Sequence, residues 1–132
     1  MKLIIGGYSQ GKLDFVKEHF NVNDECIFDS SLPGKEEREK LMSNNNTLVI
    51  HNLHKWIRKR SKEGGRVEEE LASFIKNCPD SIIICDEIGN GIVPMDPFER
   101  VYRERTGRIL IDAAKEAEEV WRVICAIGQK IK

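Results

Sequence analysis

Gly6-Gly7-Tyr8-Ser9-Gln10-Gly11-Lys12-Leu13 is the stretch from which the fold can be read. An apolar run from Lys2 to Ile5 precedes it, and Leu13, Val16 and Phe20 follow at helical spacing. A glycine turn is thus expected between a buried strand and a helix. The stretch satisfies G-x-x-x-x-G-K-[ST] at every position but the last. Gly6 and Gly11 permit a tight backbone path, and the amides along Gly7, Tyr8, Ser9 and Gln10 are then expected to point inward at phosphate oxygens. The helix N-terminus adds partial positive charge, and Lys12 adds a full one for the β and γ phosphates. Leu13 stands where Ser or Thr normally holds Mg²⁺, so phosphate affinity is expected to survive and metal positioning to weaken. Its side chain is expected to pack into the core. The bland alternative is a glycine turn followed by a surface lysine.

Outward from the loop, strand and helix signals alternate. Cys26 to Phe28 reads as a second strand, Asp29 to Gly34 as a loop, and Lys35 to Met42 as a polar helix. Thr47 to His51 is a buried strand rich in β-branched residues, followed by helices over Leu53 to Arg60 and Val67 to Asn77. Ser81 to Asp86 is the strongest strand signal. The loop Gly89-Asn90-Gly91-Ile92-Val93-Pro94 comes next. Asp96 then caps a long helix with Pro97 at its first position, running to about Glu118. Val120 to Ala126 is another strand, Gly128-Gln129 a turn, and Lys130 to Lys132 an edge strand. The alternation predicts an α/β fold: three layers, a mostly parallel sheet with helices on both faces, and a C-terminal antiparallel edge.

The composition narrows the function. A chain of 132 residues supports one domain, here residues 1–132. A net charge of -1 and a pI near 6.3 argue against nucleic acid as a partner. No apolar stretch approaches the roughly 20 residues that span a bilayer, and the first apolar segment is too short for a secretory signal. None of Cys26, Cys78, Cys85 and Cys125 forms a C-x-x-C pair, so neither zinc nor a redox couple is expected. Cys85 and Cys125 sit in apolar runs and are expected to be buried. These features together predict a cytoplasmic protein without a membrane.

Ile82-Ile83-Ile84-Cys85-Asp86-Glu87 has the pattern of a Walker B strand. A carboxylate at the C-terminal end of such a strand lies beside the phosphate loop. Asp86 is the candidate Mg²⁺ ligand. Glu87 is a candidate to orient a nucleophile or the nucleotide, the plain alternative being two acids that cap a turn. His51 and His54 fall at the same edge and are candidate substrate contacts. As a metal pair they lack a third ligand, and a histidine at a strand end is more often structural. His19 reads as structural. The basic residues Lys55, Arg58, Lys59, Arg60, Lys62 and Arg66 read first as a solvated helix face, and second as a surface for an anionic ligand.

Asp86-Glu87-Ile88-Gly89-Asn90-Gly91-Ile92-Val93-Pro94 resembles the N-E-V-G-x-G-I-V-P segment of the adenosylcobinamide kinase / adenosylcobinamide-phosphate guanylyltransferase family. Arg103, Gly107 and Arg108 resemble its R-D-x-x-G-R, Glu119-Val120-Trp121 its D-E-V-W, and residues 128–132 its C-terminal G-x-x-x-x-K. The start resembles its G-G-x-x-S-G-K-S loop, and Leu48 to Trp56 weakly resembles its V-D-x-L-T-x-W tract. The resemblance implies a P-loop fold, a role in cobalamin (corrinoid) biosynthesis or salvage, ATP or GTP as substrate, and a homo-oligomer. It also implies that Gly6, Gly7, Gly11 and Lys12 bind nucleotide phosphates, with Glu87 on the family's motif glutamate.

The departures from the family are specific. Lys35 to Asn46 holds no histidine where the family carries its guanylylated one in H-x-x-x-R-P. His51 replaces a strand-end Asp, Leu13 the loop Ser, and Asp86 the usual Asn. The missing histidine counts against guanylyltransfer by the family's route and leaves kinase-type phosphoryl transfer, with Lys12, Asp86 and Glu87 as the catalytic candidates. The chain is shorter than usual members, which reads as a trimmed enzyme. The alternatives are a non-catalytic nucleotide-binding or regulatory homologue, and a small interaction protein that uses the basic helix.

Overall fold

A computed structural model describes residues 1–89 and 91–132. The Asn90 position of the glycine loop lies outside the described residues. The elements are β1 (Lys2–Gly6), α1 (Lys12–Phe20), β2 (Ile27–Asp29), α2 (Lys35–Ser43), β3 (Val49–His51), α3 (Leu53–Lys62), α4 (Val67–Asn77), β4 (Ile82–Asp86), α5 (Pro97–Glu116), β5 (Glu119–Ile124) and β6 (Ile127–Lys130). The strands form one sheet in the order β2-β3-β4-β1-β5-β6. All pairings are parallel except β5 with β6. This is the expected mostly parallel sheet with an antiparallel C-terminal edge.

The apolar runs of β1 and β4 are buried because both strands have partners on each side and helices above and below. Side-chain alternation splits the core in two. Ile4, Ile82, Ile84, Val49 and Val123 meet Phe15 and Val16 of α1 on one face. Leu3, Ile83, Cys85, Ile50 and Val120 meet the apolar sides of α3, α4 and α5 on the other, with Leu41 and Met42 of α2 at its margin. One helix therefore covers one face and four share the other.

The chain leaves β1 through α1 towards β2 and returns to the opposite side of β1 as β5. β1 is thus the point where the strand order reverses. In such sheets the crevice beyond the carboxyl end of that strand is where ligands bind. The start of α5 follows its sequence signal: Asp96 accepts from the Phe98 amide at 2.9 Å, with Pro97 as first helical residue. Among the described residues no helix is long and apolar enough to cross a membrane.

Two expectations are corrected at the C-terminus. The last turn is not Gly128-Gln129 but Cys125-Ala126, whose φ angles are 50° and 61°, and Gly128 lies within β6. Two consecutive left-handed residues are what a two-residue hairpin requires, usually supplied by Asn-Gly. Gly128 is needed elsewhere: a Cβ there would sit 2.3 Å from the Phe15 ring. The glycine signal therefore reports side-chain packing and not a turn. Cys125, at the hairpin tip, is exposed, whereas Cys26, Cys78 and Cys85 are buried.

Candidate functional site

The 6–13 loop is held by close backbone contacts. A Cβ at Gly6 would lie 2.5 Å from the Val123 carbonyl oxygen of β5. Gly11 has φ 80°, and a Cβ there would lie 2.9 Å from the Ala126 Cβ. The β5–β6 hairpin tip grips the loop through Gln10. Its side-chain oxygen accepts from the Cys125 amide at 2.9 Å, and its carbonyl accepts from the Ala126 amide at 2.7 Å. No side chain caps α1, so the amides of its first turn remain for an anion.

Lys12 is buried, and its Nζ lies 2.7 Å from Asp86 Oδ1 while donating to the Gly7 carbonyl at 2.6 Å. The register that sets Gly6 opposite Asp86 on β1 and β4 brings these two together. His54, buried at the start of α3, completes the group. Its Nδ1 accepts from the Asp86 amide at 3.2 Å, which assigns the ring proton to Nε2, 3.4 Å from Asp86 Oδ2. Burial holds the His54 pKa below its usual value against the opposing pull of the Asp86 charge. The buried Tyr102 hydroxyl of α5 donates to the His54 carbonyl at 2.8 Å and ties α5 to this wall. Burial raises the Tyr102 pKa, and it raises the Cys85 thiol to about 12, so both stay protonated.

Lys12, His54 and Asp86 face a cavity of about 450 Å³ lined by Tyr8 to Asp14, His51, Asn52, His54, Lys55 and Asp86. Lys12, Asp86 and the loop are brought together, as the sequence places them. Leu13 also lines the cavity, half-buried against the α1-side core. His51 and His54 both reach this edge, but with different surroundings. Glu87 does not line the cavity; its Oε2 lies 3.3 Å from Arg122 of β5, and its amide donates to the Gly6 carbonyl at 2.8 Å.

Asp29 went unassigned in the sequence because it reads as loop, yet it ends β2 directly opposite His51. It accepts from Asn52 Nδ2 at 2.8 Å and from the Ser30 hydroxyl at 2.9 Å. The Asn52 bond is the main reason its pKa lies below the usual carboxylate value. Half of the basic run is paired within the molecule: Arg58 with Glu99, Arg60 with Glu70, and Arg66 with Glu69.

A Mg²⁺ ion usually needs only one or two protein carboxylates, the rest of its shell coming from phosphates and water. Asp86, at the cavity and 14% exposed, meets that requirement, and Leu13 offers no oxygen. Among the described residues no group of three or more His, Cys, Asp or Glu could hold a metal without such help.

The family model for cobinamide kinase / cobinamide phosphate guanyltransferase matches residues 17–131. The chain is 37% identical over 65 residues to the bifunctional adenosylcobalamin biosynthesis protein CobU of Escherichia coli. It is 36% identical over 70 residues to the protein of the same name from Salmonella typhimurium. These alignments cover 48% and 50% of this chain but 36% and 39% of the relatives, so the match spans under two fifths of their length. The family match begins inside α1, so the phosphate-loop reading stands on the geometry of residues 6–13 itself.

Proposed function

The chain belongs to the cobinamide kinase / cobinamide phosphate guanyltransferase family, and from that premise we propose that it binds ATP or GTP on the 6–13 loop and transfers a phosphoryl group to a cobinamide-type alcohol in cobalamin biosynthesis. One observation carries this reading: the loop lysine and the strand-end carboxylate meet at 2.7 Å on the wall of a cavity of nucleotide-compatible size. Loop amides and the α1 N-terminus would bind the phosphates, and Lys12 would turn from Asp86 to the β and γ oxygens and stabilise charge as the bond to the leaving group breaks. Asp86 would hold a Mg²⁺ ion, whose chemistry would be to neutralise phosphate charge. Glu87, through Arg122, would act as a support of the β4–β5 edge. Guanylyl transfer is left out because α2 carries no histidine. A homo-oligomer in the cytoplasm, with residues 1–132 as one nucleotide-binding domain, completes the reading.

A second reading rests on Leu13. Without a hydroxyl at that position metal positioning is poorer, which favours a homologue that binds nucleotide without turnover. Incubation with Mg²⁺, cobinamide and ATP or GTP, followed by mass spectrometry, tests both. Phosphorylated cobinamide is expected. Nucleotide binding by calorimetry with no product supports the second reading, and absence of any binding excludes the two together.

A further inference from the structure

We propose that Asp29 and His51 form the proton-accepting pair of this site, with His51 Nε2 as the general base for the acceptor hydroxyl; the inference rests on the phosphoryl-transfer reading above. Phosphoryl transfer to an alcohol releases a proton, and neither Lys12 nor Asp86 is free to take it. Lys12 is a cation, paired with Asp86 in this structure and with phosphate once it turns, and Asp86 would then be committed to Mg²⁺ while its Oδ2 faces the His54 ring proton. His54 is also occupied, since its Nδ1 already accepts the Asp86 amide.

Of the two histidines on the cavity wall, His51 is the one without such a commitment. It ends β3, one strand from Asp86, with a side chain 23% exposed. Its Nδ1 lies 3.9 Å from Asp29 Oδ1, its cross-strand neighbour on β2. Asp29 is held in place by Asn52 and Ser30, and the Ser30 amide donates to the His51 carbonyl at 2.8 Å. The carboxylate favours the ring proton on Nδ1, leaves Nε2 as the basic nitrogen, and stabilises the imidazolium that forms. The charged and titratable groups around the ring are Asp29 from β2, Lys12 from α1, Asp86 from β4, and His54 and Lys55 from α3. Burial, aided by Lys12 and Lys55, outweighs the upward pull of Asp29 and Asp86 and keeps His51 below its ordinary value, so it is unprotonated at neutral pH.

The step balances. The hydroxyl oxygen bonds to the γ phosphorus, the bond from that phosphorus to the β-bridging oxygen breaks, and the nucleoside diphosphate leaves with that electron pair. The hydroxyl proton passes to His51 Nε2 and from there to solvent.

The test measures cobinamide phosphorylation with MgGTP and MgATP from pH 5 to 9 for the wild type, His51→Gln and Asp29→Asn. Nucleotide affinity is measured alongside by calorimetry. His51→Gln is expected to bind nucleotide within about twofold of wild type but to lose about 10²-fold or more in kcat, together with the acidic limb of the pH profile. Asp29→Asn removes a charge that raises the His51 pKa, so its acidic limb moves to lower pH and its plateau falls less. An NMR titration of His51 in the wild type and in Asp29→Asn reads the same shift without turnover and guards against a misfolded His51 variant. An active His51→Gln with an unchanged profile overturns the pair and leaves the kinase reading standing. A wild type that binds nucleotide yet forms no product overturns the pair together with the catalytic reading.

Discussion

The cavity has two walls built from the same residue types, and they differ in how much they are committed. On the β4 side, His54, Asp86 and Lys12 form a buried chain of contacts in which His54 meets Asp86 twice and Tyr102 pins its carbonyl from behind. On the β2–β3 side, His51 and Asp29 are partly open, their closest approach is 3.9 Å, and the bonds holding Asp29 come from Asn52 and Ser30. A histidine and a carboxylate therefore serve as scaffold where burial leaves no spare lone pair, and as movable chemistry where it does. Only Asn52 and Leu53 separate the two histidines in sequence, but they sit in different environments.

Four measurements test that contrast. The largest effect is expected for Lys12→Ala, which removes the charged phosphate partner and should cost about 1.5–3 kcal/mol of nucleotide affinity by calorimetry. Unchanged binding would remove the committed wall from the site altogether. Next, His54→Ala strips Asp86 of two contacts and should lower the unfolding free energy by about 1–3 kcal/mol in urea. His51→Ala should change it by about 0.5 kcal/mol, as at a partly exposed position. Equal losses would erase the distinction between the walls. Tyr102→Phe comes third, at about 1 kcal/mol for one buried hydrogen bond.

The smallest effect is the pH dependence contributed by His51. Its folded pKa lies below the unfolded value of 6.5, so the unfolded chain takes up the proton more readily. The associated stability is fully present above that pH and is lost as the pH falls below it. The urea midpoint of the wild type should therefore drop on acidification, and that of His51→Gln should drop less.

The parts of this molecule legible in its sequence are those whose chemistry is local. The 6–13 loop announces itself because glycine spacing and the adjoining strand and helix signals all lie within about twenty residues, and Asp86 because a carboxylate ends the most apolar strand. Asp29 was not legible, since its place beside His51 depends on the register of β2 against β3. The hairpin was misread for a related reason. Cys125 and Ala126 carry no turn signal and are held in left-handed geometry by Gln10, more than a hundred positions earlier, while Gly128 answers to the Phe15 ring. The roles of His51 and His54 also depended on burial, which spacing alone does not reveal.

The grip of the Cys125-Ala126 tip on Gln10 bears on the order of assembly during synthesis. The 6–13 loop leaves the ribosome before the hairpin that clamps it, since Gln10 and Cys125 are 115 positions apart. Contacts this distant in sequence form late, because loop closure must be paid for first. A nascent chain should therefore carry the loop in an unset state until β5 and β6 emerge. On the nucleotide-binding reading proposed above, capture would then wait on the completeness of the sheet.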